Sequence, residues 1–293
     1  MFDFGTPEPI SVTIELNLGD VRIKASDRSD TVVDVQPTDE TKASDIRAAE
    51  QTRVEFSHGR LVVKGSSDWR RYAIFTGNGS VDVTISLPSR SDLRAEAGMG
   101  KFECQGELGR CSLKTGMGRI RLDRTASVKA ETGYGDVTLE GAAGDVEIKT
   151  GSGEISARRI DGAAHIKSSD GHVYIGWVAG DVQVKAANGK ISIGQAQGSV
   201  TAKSANGRIR VGGVARGSVL LETAMGDVRV GVQEGTAAWL DVSTQYGRVI
   251  NSLNAADGPG GQKETVEIRA RTSYGDVEIQ RSLDPIHGTA NHG

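Results

Sequence analysis

Proline and aromatic side chains are scarce in this 293-residue sequence, which has 6 prolines, 5 phenylalanines, 5 tyrosines and 3 tryptophans. Few rings are available, so a core of bulky stacked aromatics is excluded. Cysteine is scarcer still. Cys104 and Cys111, alone and seven residues apart, make neither a disulfide framework nor a zinc site, and they read as reduced core thiols. No charge excess of either sign exists. Thirty-five basic residues against 38 acidic ones give a net charge of -3, so no basic surplus offsets a phosphate backbone and nucleic acid is not an expected partner. No apolar run reaches the ~18 residues of a membrane span, and the opening Met1 to Pro9 has neither a basic head nor an apolar stretch. The expectation is a soluble, cytoplasmic protein without a transmembrane segment.

What the sequence has in excess is glycine, at 39 residues. No Gly-X-Y triplet persists, which excludes collagen, and Val, Ile and Leu recur too regularly for a disordered chain. Placed in register, the glycines mark a repeat: Gly100, Gly118, Gly135, Gly153, Gly171, Gly189, Gly207, Gly226, Gly247 and Gly275, in steps of 18, 17, 18, 18, 18, 18, 19, 21 and 28. The positions seven and five before each glycine, and two and four after it, are apolar, with Asn251 after Gly247 the one exception. Val182, Val184, Ile191 and Ile193 show the pattern around Gly189. Period-2 alternation over so few residues specifies two short half-buried strands per repeat. Gly144, Gly162, Gly180, Gly198 and Gly217 mark the second turn.

An open meander of hairpins would leave its apolar face bare, because no sustained segment of helical period is available to cover it. A solenoid encloses that face, each repeat forming one coil stacked on the last, with equivalent residues in ladders ~4.8 Å apart. The fold expected is therefore all-β: a single-stranded, β-helix-like solenoid of about 18-residue coils, about a dozen in all, behind an irregular N-terminal capping region. Residues 1–88 form the N-terminal β region and cap, 89–282 the repeats continuous with it, and 283–293 a flexible tail. Within the cap, residues 10–37 and 53–64 carry units related to the repeat, Ser44 to Gln51 reads as a short helix, and Ser80 to Leu87 as a strand. Trp69 to Phe75 breaks the pattern and is a candidate cover for apolar corners, and Ala255 to Gln262 reads as a loop.

Gly-Asp-Val-Thr-Leu at 135 to 139, its echoes at 226 and 275, Ile-Ser-Leu-Pro at 85 to 88 and the closing Val-Glu-Ile-Arg-Ala-Arg-Thr-Ser-Tyr-Gly-Asp-Val resemble the bacterial β-strand-repeat family of candidate adhesins, whose function is unknown. The resemblance runs from about residue 6 to 282. It implies a repeat fold and, through the adhesin label, surface exposure; it supplies no catalytic residues.

Catalytic, cofactor and metal sites are not expected. Uniform coils give no platform for the long loops of β-helix lyases, and the apolar pairs step by nine rather than by the six of hexapeptide acyltransferases. Calcium β-rolls need Gly-Gly-x-Gly-x-Asp, whereas here Asp136, Asp227 and Asp276 stand alone at the turn. His165 and His172 lie in one coil, with no nucleophile motif beside them, and read as surface residues.

Two ladders stand out. Lys149, Lys167, Lys185 and Lys203, each 18 apart, form a row of like charge suited to an anionic surface or partner, with Glu131 and Glu222 continuing it at either end. Just before the turn glycine come Met99, Met117 and Tyr134 in early coils and Met225, Tyr246 and Tyr274 in late ones, with polar residues between. These corners suit protein partners or self-association. The leading reading is a noncatalytic structural or protein-interaction scaffold. A carbohydrate-active enzyme or glycan-binding β-helix is the alternative, which leaves glycan binding open, and a surface adhesin is the third.

Overall fold

The computed structural model describes residues 1–65, 79–253 and 264–282. Trp69 to Phe75, Ala255 to Gln262 and the 283–293 tail lie outside the described residues. The N-terminal region comprises β1 (Phe2–Gly5), β2 (Ser11–Leu18), β3 (Val21–Ser26), β4 (Asp30–Pro37), α1 (Ala43–Gln51), β5 (Arg53–Ser57), β6 (Arg60–Lys64) and β7 (Val81–Pro88). The first repeats follow as β8 (Asp92–Met99), β9 (Phe102–Met117), β10 (Ile120–Tyr134), β11 (Val137–Ala142), β12 (Val146–Ser152), β13 (Ile155–Ile160), β14 (Ala164–Asp170) and β15 (Val173–Val178). The remainder are β16 (Val182–Asn188), β17 (Ile191–Ala196), β18 (Val200–Asn206), β19 (Ile209–Val214), β20 (Gly217–Met225) and β21 (Val228–Val232), then β22 (Thr236–Tyr246), β23 (Val249–Asn251), β24 (Glu264–Tyr274) and β25 (Val277–Arg281).

All of these strands except β1, β4 and β5 form a parallel β-solenoid with two ladders. One runs β6, β2, β8, the second half of β9, the second half of β10, β12, β14, β16, β18, β20, β24 and β22. The other runs β7, β3, the first half of β9, the first half of β10, β11, β13, β15, β17, β19, β21, β25 and β23. Between the ladders lies a dry interior of aliphatic rows; Val182, Val184, Ile191 and Ile193 are all at most 2% exposed.

Coils do not stack throughout in chain order. β2 and β3 lie between the β6–β7 layer and the β8–β9 layer, and the last coil in sequence, β24–β25, is inserted between β20–β21 and β22–β23. The steps of 21 and 28 residues at the end of the sequence belong to this detour. The unit at 53–64 also differs from a coil: β5 and β6 form an antiparallel hairpin. Its turn is His58-Gly59, both with positive φ (49° and 71°), the pairing that closes a tight hairpin. A coil corner instead has a single glycine at φ near +140°, as at Gly135, Gly153 and Gly226.

The N-terminal layer is covered. β5 pairs antiparallel with β6, and β4 with β7, while β1 pairs with β4. Helix α1 lies against β4 and β7, and its buried Asp45 accepts a hydrogen bond from the Ser80 amide at 3.2 Å. At the other end, β22 and β23 each pair on one side only among the described residues.

The corner glycines have no room for a side chain. A Cβ on Gly189, at φ +125°, would stand 2.0 Å from the Gly171 carbonyl oxygen of the neighbouring coil. A Cβ on Gly141 would meet only Arg124 Cγ, at 3.8 Å. Gly189→Ala is therefore expected to destabilise by at least ~1–3 kcal/mol, and Gly141→Ala to change stability by no more than ~0.5 kcal/mol. Urea unfolding followed by circular dichroism measures both; equal effects would contradict this assignment of the corner.

Candidate functional site

Asp136, Asp227 and Asp276, the carboxylates that follow the corner glycine, are occupied by the fold itself. Asp136 Oδ1 accepts the Glu154 amide at 3.0 Å, Asp227 Oδ1 the Asp276 amide at 3.2 Å, and Asp276 Oδ1 the Arg248 amide at 2.9 Å. Each caps the corner of an adjacent coil. Arginines complete them: Arg208 lies 2.9 Å from Asp227 and Arg248 2.8 Å from Asp276. Among the described residues no three His, Cys, Asp or Glu side chains gather as metal ligands. His172 is used similarly, its Nδ1 accepting the Lys190 amide at 3.1 Å, while His165 points outward from the strand face. The two histidines serve different surfaces.

A further row escaped the sequence reading. Three residues before each corner glycine, Thr115, Thr132, Thr150, Thr223 and Thr272 are buried, and each hydroxyl donates to a corner glycine carbonyl of an adjacent coil at 2.9 to 3.4 Å. Ser168 and Ser204 hold the same row, with hydroxyls that have no partner among the described residues. The signal was present as a polar residue repeating at the third inward position, but a hydroxyl there breaks the apolar pattern used to find strands.

The lysine row assembles as its spacing requires. Lys149 stands opposite Lys167, Lys167 opposite Lys185, and Lys185 opposite Lys203, with Glu131 and Glu222 at the two ends. The ends are neutralised. Lys149 pairs with Glu147, which also holds Lys129 at 3.2 Å, and Lys203 lies 2.7 Å from Glu222. Hydrogen bonds from Lys149 first, then Lys129, hold the Glu147 carboxyl below the usual carboxylate range. Among the described residues, Lys167 and Lys185 have no carboxylate within ion-pair distance. These two like charges, one strand apart at ~4.8 Å, repel by ~0.9 kcal/mol at the dielectric of water, less in salt. They line a groove of about 990 Å³ that crosses β8, β9, β10, β12, β14 and β16, together with Lys129, Lys149, His165 and Gln183.

The corner column also assembles, in a spatial order different from its sequence order. Leu18, Met99, Met117 and Tyr134 follow one another at one end, then Ser152, Asp170, Asn188 and Asn206, then Met225, Tyr274 and Tyr246. In the middle the column is a hydrogen-bonded amide ladder: Asn206 Nδ2 donates to Asn188 Oδ1 at 3.0 Å, and Asn188 Nδ2 to Asp170 Oδ1 at 2.7 Å. Apart from the half-buried Leu18, both apolar ends face outward, with exposures from 47% at Met99 to 63% at Tyr134. Tyr246 and Tyr274 stack with centroids 4.8 Å apart, within 11° of parallel.

Cys104 and Cys111 sit in the interior rows as free thiols. Burial raises both pKa values, that of Cys111 from 9.0 to about 11 and that of Cys104 well above its ordinary value. Folding thus favours the protonated thiol. Its contribution to stability is complete below pH 9 and is lost as pH rises toward 11. Iodoacetamide at pH 8 is expected to alkylate neither thiol in the folded protein and both after denaturation, as mass spectrometry would count; rapid native labelling would contradict a buried, protonated pair.

With this geometry in hand, similarities to known proteins can be placed. Among solved structures the chain is similar to a candidate adhesin from Bacteroides fragilis at 13% identity, covering 96% of this chain and 95% of that one, with a TM-score of 0.35. A candidate cell adhesion protein from Clostridium sporogenes matches at 11% identity over 96% and 98%, with a TM-score of 0.18. A candidate lipid binding protein from Parabacteroides distasonis matches at 12% identity over 96% of each chain, with a TM-score of 0.30. No curated protein matches the sequence significantly. The Toastrack DUF4097 family profile covers residues 10–282, nearly the span in which the Gly-Asp-Val strings and solenoid ladders are found, and the chain belongs to that family.

Proposed function

We propose that this protein is a noncatalytic scaffold that associates with other proteins, copies of itself included, through the apolar ends of its corner column. The observation that carries the reading is the pair of exposed clusters Met99, Met117, Tyr134 and Met225, Tyr274, Tyr246, held in register on one edge. Polymorphic Met and flat Tyr side chains give contact area at low ordering cost, and clustered exposed apolar groups mark interaction surfaces. The polar amide ladder between them separates two contact sites on one rigid body. Regular coils and carboxylates already engaged in capping leave the corner column as the surface with most to gain from being covered.

Light scattering after size-exclusion chromatography is expected to show self-association that strengthens with concentration. Replacing Met99, Met117 and Tyr134 by serine, or Met225, Tyr246 and Tyr274 by serine, should weaken it while the circular dichroism spectrum stays unchanged. A strict monomer at all concentrations, whose pull-down partners from the native host are retained equally by both variants, would contradict the proposal. Our reading places the scaffold in the cytoplasm; recovery of the native protein from the cell surface on fractionation would replace that with the adhesin reading.

A further inference from the structure

The lysine groove is a separate feature, on the strand face rather than the corner. Its charge is unevenly used. Glu147 engages Lys129 and Lys149, Asp92 engages Arg110 at 2.8 Å, and Arg94 lies 3.1 Å from Glu96. Lys167 and Lys185, the pair without ionic partners among the described residues, sit side by side in its lining. The ladder therefore holds two adjacent, uncompensated cations within a concave stretch of the face. A fold that needed only a solvated edge would be more stable with alternating charge there, as elsewhere in the same row, where Lys114 lies 3.5 Å from Glu131.

We propose that this groove binds a linear polyuronate, a glycan with one carboxylate per sugar, laid along the solenoid axis with one of its carboxylates held between Lys167 and Lys185. Four observations support this class. The two free cations stand one strand spacing apart, ~4.8 Å, close enough for their ammonium groups to hold a single carboxylate between them. Among the described residues the lining contains no Phe, Tyr or Trp on which a neutral glycan would stack, and ionic attraction is the source of affinity these residues offer. His165, Gln183, Ser112 and Ser127 offer hydrogen-bonding groups beside the lysines for sugar hydroxyls. Asp92, Asp145 and Glu147 in the same lining oppose a densely charged phosphate polymer.

Titration calorimetry of the full chain with oligogalacturonate in low salt tests this, with uncharged galactan oligosaccharide, inorganic polyphosphate and phosphatidylglycerol vesicles as comparison ligands. Oligogalacturonate is expected to bind, more weakly as salt rises. The Lys167→Gln/Lys185→Gln variant should lose at least about tenfold in affinity, whereas Lys190→Gln, an exposed lysine outside the groove lining, should change it less than about twofold. In low salt the double variant should also melt no lower than the parent, because it relieves like-charge repulsion; that readout separates lost binding from lost fold. Absence of binding, equal losses in the two variants, or preference for galactan, polyphosphate or vesicles would overturn the proposal. Self-association through the Met and Tyr corners is untouched by these substitutions, so the two ideas fail independently.

Discussion

A coil of this protein makes its strand hydrogen bonds to other coils. Parallel strands cannot pair within a single 18-residue turn, so each coil depends on the layers above and below it. Burying four aliphatics in one coil does not offset the conformational entropy lost by ordering its 18 residues, and the contacts and hydrogen bonds to neighbouring coils supply the rest. From this constraint follow the glycine at each corner, whose missing Cβ lets carbonyls of adjacent layers approach, and the capping aspartate and buried threonine that satisfy corner amides and carbonyls. These parts act across layers; none makes sense inside one repeat.

The same constraint governs the ends, where a layer has a neighbour on one side only. At the N-terminal end the chain covers its last layer with antiparallel strands and a helix, changing strand direction so that parallel pairing cannot continue. At the other end β24–β25 is threaded between earlier layers, leaving β22–β23 outermost. Inward positions lose their protection there: Val249 is 45% exposed, whereas Val277, at the equivalent position one layer in, is fully buried. Both ends use order along the axis that differs from order along the chain.

Much of this was legible in the sequence because the repeat is written in residue types with one physical role. Glycine in step 18, aliphatics at four fixed offsets and a polar stretch at 44–51 yielded the solenoid, its interior rows and the short helix. Coil order was not legible. Steps of 21 and 28 announce extra chain, but periodicity is blind to which layer a coil enters, since all layers present the same rows. The hairpin at 53–64 reads in the sequence as a unit related to the repeat because its apolar alternation is alike; its antiparallel pairing and the two consecutive positive-φ residues at His58 and Gly59 set it apart. The threonine row was missed because a buried hydroxyl looks like a break in an apolar pattern until its carbonyl partner on the next layer is known. Both candidate ladders were legible as spacing, while the neutralisation of Lys149 and Lys203 by Glu147 and Glu222 required the fold.

A rigid stack of equivalent layers turns a repeated residue into a surface of fixed pitch, and the corner column and lysine row are two such surfaces on one rod. Everything said about them depends on the layer order. Disulfide trapping measures that order most directly, because neighbouring strands at ~4.8 Å fall within bridging distance and second neighbours at ~9.6 Å do not. The account predicts that Tyr246→Cys/Tyr274→Cys and Met225→Cys/Tyr274→Cys close a disulfide under mild oxidation while Met225→Cys/Tyr246→Cys stays reduced. Closure of the Met225–Tyr246 pair, with Tyr274 excluded, would mean that the coils stack in chain order and would contradict it.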